Sequence, residues 1–239
     1  MLISHDKRFV FVHIYKTAGT SVRDIFLPYA RLLDRMAYDY KFSKKLYGKI
    51  IKMMKWHDDG MKQFTGFHKH AKAFEVKEKL GNRKFDSYYK FTFVRNPFDF
   101  LVSLYFYILQ SRYHRLHSVV VKMSFLEFLR WHIATNPSRQ LDFIVDPSNG
   151  KRLIDYIGRF ETLAQDITII QENVGINVKR SIEHKNMSSK RKKKDYRKYY
   201  NEESRVMVEE YFKTDLELLG YDFNGFSENM PIFGDIAMQ

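Results

Sequence analysis

The chain contains no cysteine. That excludes a disulfide framework and a thiolate metal site. His-Glu-x-x-His is also missing, and no third ligand stands at a recognisable spacing from His68 and His70, so no metal is expected. No interior stretch is apolar for long enough to span a bilayer. His5, Asp6, Lys7 and Arg8 interrupt the first residues, which leaves no room for the apolar core of a signal peptide. A chain without cysteine, leader or membrane span is expected in the cytoplasm. Proline is scarce, at 5 in 239 residues, and there are no repeats or long linkers. That length suits one α/β domain with a real core, so residues 1–239 are read as a single domain.

Acidic residues are in deficit. Lys plus Arg number 41 against 28 Asp plus Glu, a formal net charge of +13. Such a surface attracts anions: a polyphosphorylated cofactor, an acidic polysaccharide or nucleic acid. The densest cluster is Lys190-Arg-Lys-Lys-Lys194. Such a run is usually a solvated face or flexible loop; a nucleic-acid patch has the same look, and a third reading is a loop that folds over a phosphate.

Two stretches pair an apolar run with a polar turn and an amphipathic helix. In the first, Phe9 to Ile14 predicts a strand buried on both faces of a parallel sheet. Tyr15-Lys-Thr-Ala-Gly-Thr-Ser21 follows, and then Val22, Ile25, Phe26 and Tyr29 recur at helical spacing. A strand that feeds a helix through such a loop is a phosphate cradle. Backbone N–H groups at the helix start point at the anion, and the helix dipole favours negative charge there. Lys16 adds a full charge, Thr17, Thr20 and Ser21 add hydroxyl donors, and Ala18 and Gly19 keep the turn small. The ordinary nucleotide-triphosphate loop, GxxxxGK[ST], is different: its lysine comes late, whereas Lys16 comes first.

In the second stretch, Phe91 to Val94 predicts a buried strand. Asn96 is a good N-cap and Pro97 suits the first helical position. Leu101, Leu104, Tyr105 and Ile108 form the apolar helix face. Arg95 therefore falls at the carboxyl end of a strand, where ligands bind in open α/β sheets. A guanidinium there can grip a phosphate with two parallel bonds. Ser103 lies two turns into the helix.

These motifs resemble those of sulfotransferases that use 3′-phosphoadenosine-5′-phosphosulfate (PAPS). Tyr15-Lys-Thr-Ala-Gly-Thr-Ser21 is similar to their 5′-phosphosulfate loop, with Tyr15 where proline is usual. Val94-Arg-Asn-Pro-Phe-Asp-Phe-Leu-Val-Ser-Leu-Tyr105 is similar to their 3′-phosphate motif, with Phe100 where arginine is usual. Gly66-Phe-His-Lys-His-Ala71, Gly158-Arg-Phe-Glu161 and the segment from His184 to Asn201 resemble the carbohydrate branch, that of heparan sulfate 2-O-sulfotransferase.

The resemblance implies a P-loop-like three-layer α/β fold with a central, mostly parallel sheet flanked by helices. It implies that residues 16–21 hold the 5′ end of the cofactor, that Arg95 and Ser103 bind its 3′-phosphate, and that Lys190 and Arg191 close over it. It makes His70 the catalytic base with His68 as helper, and Lys16 the group that neutralises the leaving oxygen. The product would be adenosine 3′,5′-bisphosphate (PAP), and the acceptor a hydroxyl of a carbohydrate or glycoconjugate, not nucleic acid.

Sulfuryl transfer is an in-line displacement in which positioning and charge stabilisation carry most of the catalysis. A histidine titrating near neutrality suits the proton transfer. On an extended segment His68 and His70 would face the same way. Glu75 and Asp99 are alternative bases. Two other functions compete. A P-loop kinase needs a GK[ST] loop and a carboxylate for Mg²⁺, neither of which is evident. A nucleic-acid-binding protein would use the basic run.

The remaining elements are read from caps and periodicity. Glu75 to Leu80 predicts a helix closed by Gly81. Ser124 to His132 predicts one with a Ser124–Glu127 capping box. Ile157 to Phe160 predicts a strand, and Leu163 to Val174 a helix stopped by Gly175. Asn201 caps one final helix that presents Val208, Tyr211, Phe212, Asp215 and Leu219 on a single face. Arg31 to Met61 is expected to form helices around the acceptor cleft.

Overall fold

The structure is a computed structural model, and it describes residues 1–31, 67–177, 191 and 195–227. The expectation for the acceptor-cleft helices, from residue 32 onward, and that for Lys190 fall outside the described residues. The chain divides into two compact units, Met1–Phe93 with Asp142–Glu183 and Val94–Leu141 with His184–Ala237.

The first unit is built on a four-stranded sheet in the order β1-β2-β3-β4. The strands are β1 (Leu2–Ser4), β2 (Phe9–Val12), β3 (Tyr89–Val94) and β4 (Tyr156–Arg159). β1 runs antiparallel to β2, and β2 parallel to β3, with Phe11 opposite Phe91. Parallel pairing puts the carboxyl ends of β2 and β3 at one sheet edge. All four residues of β2 are buried, as its unbroken apolar run requires. The helices are α1 (Gly19–Phe26), α2 (Ala73–Leu80), α3 (Asn82–Asp86) and α7 (Leu163–Asn173), with α4 to α6 in the second unit. Phe9, Phe11, Phe91 and Phe93 pack with Val22 and Phe26 of α1 and Leu163, Ile167 and Ile170 of α7 in one core. Phe11 stacks on Phe91 at 5.3 Å, and Phe26 meets Phe91 at 5.0 Å. Rings at these distances add to the stability of burial alone. Gly81 ends α2 with φ +78°, a conformation other residues rarely adopt.

The second unit holds α4 (Pro97–Gln110), α5 (His117–Val120), α6 (Phe125–Ala134), α8 (Glu202–Tyr211) and α9 (Lys213–Leu219). The predicted caps are present. Asn96 Oδ1 accepts from Phe98 N–H at 3.0 Å, and Asn201 Oδ1 from Ser204 N–H at 2.9 Å. Ser124 and Glu127 form the capping box of α6.

Two expectations change. The strand expected over Phe9 to Ile14, β2, stops at Val12, so His13 and Ile14 belong to the loop. The single final helix is two helices, α8 and α9, joined at Phe212, whose ψ of 17° departs from helical backbone. Phase survives the joint, since Val208, Phe212, Asp215, Leu216 and Leu219 are all buried, so hydrophobic periodicity carries no mark of the break.

Candidate active site

The loop after β2 has an unusual backbone. Lys16 has φ 64° and Ala18 φ 65°, two left-handed residues that are not glycine. Each costs of order 1 kcal/mol or more, and such strain clusters at ligand clamps. Ala18 is the N-cap of α1 and supplies no side-chain cap. The first-turn N–H groups are thus presented without a capping acceptor, as at an anion site. Thr20 is exposed and Ser21 half-buried at that turn, whereas Thr17 is buried. The Thr17 hydroxyl donates to the Ile14 carbonyl at 2.8 Å, so its proton holds the loop together and its contribution to an anion is through the backbone.

His70 lies in this same unit. Its Nδ1 is 2.8 Å from the His13 carbonyl oxygen. A carbonyl only accepts, so Nδ1 carries the proton and Nε2 carries the lone pair. Tyr15 meets the His70 ring edge-on at 5.9 Å, and the His13 ring lies 4.6 Å away. Burial pushes the His70 pKa down to about 4, the Nδ1–H bond opposes that, and the Met1 amine and Lys69 add to it. The His70 imidazole is therefore neutral far below neutrality, not titrating there as the sequence suggested. The environment is drier and more cationic than a Lys-rich surface segment implies.

His68 is placed differently from expectation. Ala71 N–H bonds to the His68 carbonyl at 3.1 Å, which closes a turn over residues 68–71. The alternation of an extended segment does not apply there, so spacing alone no longer puts His68 beside His70. Glu75 is a cap: its carboxylate accepts from Lys72 N–H at 2.6 Å at the start of α2.

In the second unit Arg95 directly follows β3, and its side chain is 7% exposed. Its Nε and Nη2 lie 2.8 and 2.6 Å from Asp99 Oδ2. Arg191 Nη2 lies 2.8 Å from the other oxygen, Oδ1, at an angle that makes the contact ionic rather than a formed hydrogen bond. Asp99 thus holds two guanidinium groups together, which removes it as a base. The Arg95 backbone is clamped as well. Its N–H donates to Gln140 Oε1 at 2.9 Å, and its carbonyl accepts from Gln140 Nε2 at 2.7 Å. Asp215, fully buried, accepts from the Gln140 and Leu141 N–H groups at 2.8 and 3.2 Å. Ser103 lies half-buried on α4.

Asn96 does more than cap α4. Its Nδ2 donates to the carbonyls of Asp222 at 2.8 Å and Gly225 at 3.1 Å. Tyr196 and Tyr200 donate to the carbonyls of Phe223 and Phe98 at 2.8 and 2.9 Å. These bonds fix the described end of the segment that carries the basic run.

Sequence reasoning missed His13, Gln140 and Asp215. His13 left a signal as the one polar residue in an apolar run that leads into the loop, and Asp215 as the one carboxylate on the face expected to pack on the core; Gln140 left none. A cavity of about 750 Å³, lined by His5, Arg8, Arg83 and Lys84 among others, lies by the residues that precede β2 and β3. That is the opposite sheet edge from the loop, and the cavity takes no part in the site.

A strained, lysine-bearing, uncapped loop beside a neutral histidine gives an α/β protein equipped to bind an anionic group and move a proton. The model of the sulfotransferase family matches residues 1–222, and the chain belongs to that family. It is an enzyme of sulfuryl transfer. An uncharacterized protein of Archaeoglobus fulgidus is 29% identical over 104 residues, covering 44% of this chain and 82% of that protein. No solved structure matches the chain. Among the described residues no helix is long and apolar enough to cross a membrane, and no cluster of His, Asp and Glu has the makings of a metal site.

Proposed function

We propose that the protein transfers a sulfuryl group from PAPS to a hydroxyl of a carbohydrate or glycoconjugate, leaving PAP. The observation that carries this reading is the tautomer of His70. The His13 carbonyl holds the proton on Nδ1, so Nε2 is the basic atom at neutral pH. The donor set also fits the cofactor. The uncapped first turn of α1, with Lys16, Thr20 and Ser21, suits a 5′-phosphosulfate. The Arg95–Asp99–Arg191 cluster offers forked donors for a 3′-phosphate, assisted by Ser103 and, on the family's pattern, Lys190.

When bound, PAPS supplies a sulfuryl group activated by its link to phosphate. Backbone N–H groups of residues 17–21 bind and orient that end. Lys16 neutralises the charge that grows on the bridging oxygen as its bond to sulfur breaks. His70 Nε2 takes the acceptor hydroxyl proton as the new O–S bond forms. The His13 carbonyl then accepts from an imidazolium, which favours that charge. His68 is assigned to acceptor orientation. We assign the whole chain to one domain of the P-loop-like three-layer type, which the family match across residues 1–222 supports. We place it in the cytoplasm, in keeping with the lack of cysteine.

The test is transfer of radiolabel from PAPS carrying labelled sulfate to a panel of sugar and non-sugar hydroxyl acceptors. Label on a sugar hydroxyl, lost in His70→Ala, is the expected result. Transfer to non-sugar acceptors alone would refute the acceptor class, and transfer unchanged in His70→Ala would refute the base.

A further inference from the structure

We propose that the His13 imidazole is a positioning residue that sets the base histidine against the phosphate loop by filling the space between His70 and Gly19. The proposal rests on the sulfotransferase reading, and it assigns a role to a residue outside both phosphate motifs.

The His13 ring is 4% exposed. It continues the aromatic face of β2, stacked on Phe11 at 5.5 Å with the planes 20° apart. Two further neighbours belong to the functional elements. His70 lies 4.6 Å away between ring centres and is hydrogen-bonded to the His13 carbonyl. On Gly19, an added Cβ would come 1.6 Å from His13 Nε2, 2.1 Å from Cδ2 and 2.4 Å from Cε1. The imidazole therefore occupies the volume that any side chain at residue 19 would need. The glycine at the first position of α1 is required by this ring. The carbonyl of His13 fixes the turn that carries His70, and its ring fixes the helix start that faces the anion. A displacement of either element is felt by the other through one residue.

A neutral ring serves this better than a charged one. The groups around His70 are the Met1 amine, Lys69, Tyr15 and His13, and Arg23 also faces His13. Lys69 and Arg23 are cations, so when Nε2 of His70 takes the acceptor proton a second charge on His13 is opposed by them and by the new imidazolium. His13 stays a neutral spacer while its carbonyl supports the imidazolium.

The experiment is a double-mutant cycle on the full chain with Gly19→Ala and His13→Ala, read by melting temperature and PAP affinity. Gly19→Ala should lower both, because the new methyl meets a packed ring. Adding His13→Ala should recover affinity by about tenfold over Gly19→Ala, as contacting residues couple strongly. A second readout is the His70 titration followed by NMR without acceptor. In His13→Ala the His70 pKa should rise from about 4 towards its ordinary value, because water replaces the ring. His13→Gln, which refills part of the space, should restore the low value in part. In turnover, His13→Ala should lower kcat by a larger factor than it raises KM for the cofactor. An additive cycle, or a His70 titration the same in His13→Ala as in wild type, would overturn the proposal. If wild type fails to bind PAP, the sulfotransferase reading falls, while the melting cycle and titration still decide the role of His13.

Discussion

Removing the Arg95 side chain separates binding from folding, because its backbone is held independently. Gln140 grips the N–H and carbonyl of residue 95 at 2.9 and 2.7 Å, so Arg95→Ala deletes the guanidinium without releasing the end of β3. Asp99 loses two charge-assisted bonds, at 2.8 and 2.6 Å, but keeps Arg191 at 2.8 Å. The fold should therefore lose about 1.5–3 kcal/mol, the scale of hydrogen bonds to a charged group. It should not lose the roughly 3–5 kcal/mol of a buried charge left without any partner. Binding of PAP should weaken by a further 1.5–3 kcal/mol or so, about 10- to 150-fold in Kd. AMP has no 3′-phosphate, so its affinity should be equal in wild type and variant. Arg95→Lys keeps the charge but not the fork, and should recover only part of the loss. Calorimetric titration with both nucleotides, alongside denaturant unfolding, measures all of this. If AMP affinity falls as far as PAP affinity, Arg95 acts on the architecture of the unit and the 3′-phosphate assignment is refuted.

Three further outcomes follow from the site. His70→Ala should leave PAP affinity intact and lower kcat by about 10²–10⁴, the usual contribution of a general base. In wild type, kcat/KM should stay level from neutrality downward and fall only as pH approaches about 4, where His70 takes its proton; a limb near pH 6.5 would contradict the buried environment. Lys16→Ala should lower both PAP affinity and kcat, since the lysine is assigned to the leaving phosphate before and during bond breaking; a variant with normal kcat would refute that role. His132, stacked on Phe128 at 5.3 Å, has its pKa lowered to about 4 by burial, with Nε2 unpartnered. The unfolded chain takes up its proton near pH 6.5 and the folded one near 4, so stability falls as pH drops through that window, by about 3 kcal/mol at the end of it. His132→Leu should make this slope shallower by the His132 share in urea unfolding measured across pH, and leave the share of the buried His70 and His13.

Both strand–loop–helix stretches were legible in the sequence because their signals are local. Buried strands read as apolar runs, Asn96 and Pro97 mark a helix start, and Lys16 stands out beside Gly19 and paired hydroxyls. The caps at Ser124 and Asn201 were legible for the same reason. What escaped depends on contacts between residues far apart. Gln140 clamps Arg95 from 45 residues away and is itself clamped by Asp215, 75 residues further on. Asp99 resembled a possible base although Arg95 stands only four residues before it; its second partner, Arg191, comes from a distant stretch. His13 passed as part of a strand; the role proposed for it rests on its carbonyl's bond to His70 and on its ring's contacts with Gly19 and His70. The joint at Phe212 kept the helical phase and left nothing for periodicity to detect.

The most direct test of the central claim compares PAP with ATP plus Mg²⁺ as stabilising ligands. At about 100 times its Kd, PAP should stabilise the fold by roughly 2.7 kcal/mol. ATP plus Mg²⁺ at the same concentration should do much less, because it lacks the 3′-phosphate assigned to Arg95 and Ser103. Equal stabilisation by both ligands, or none by PAP, would contradict a PAPS-dependent sulfotransferase.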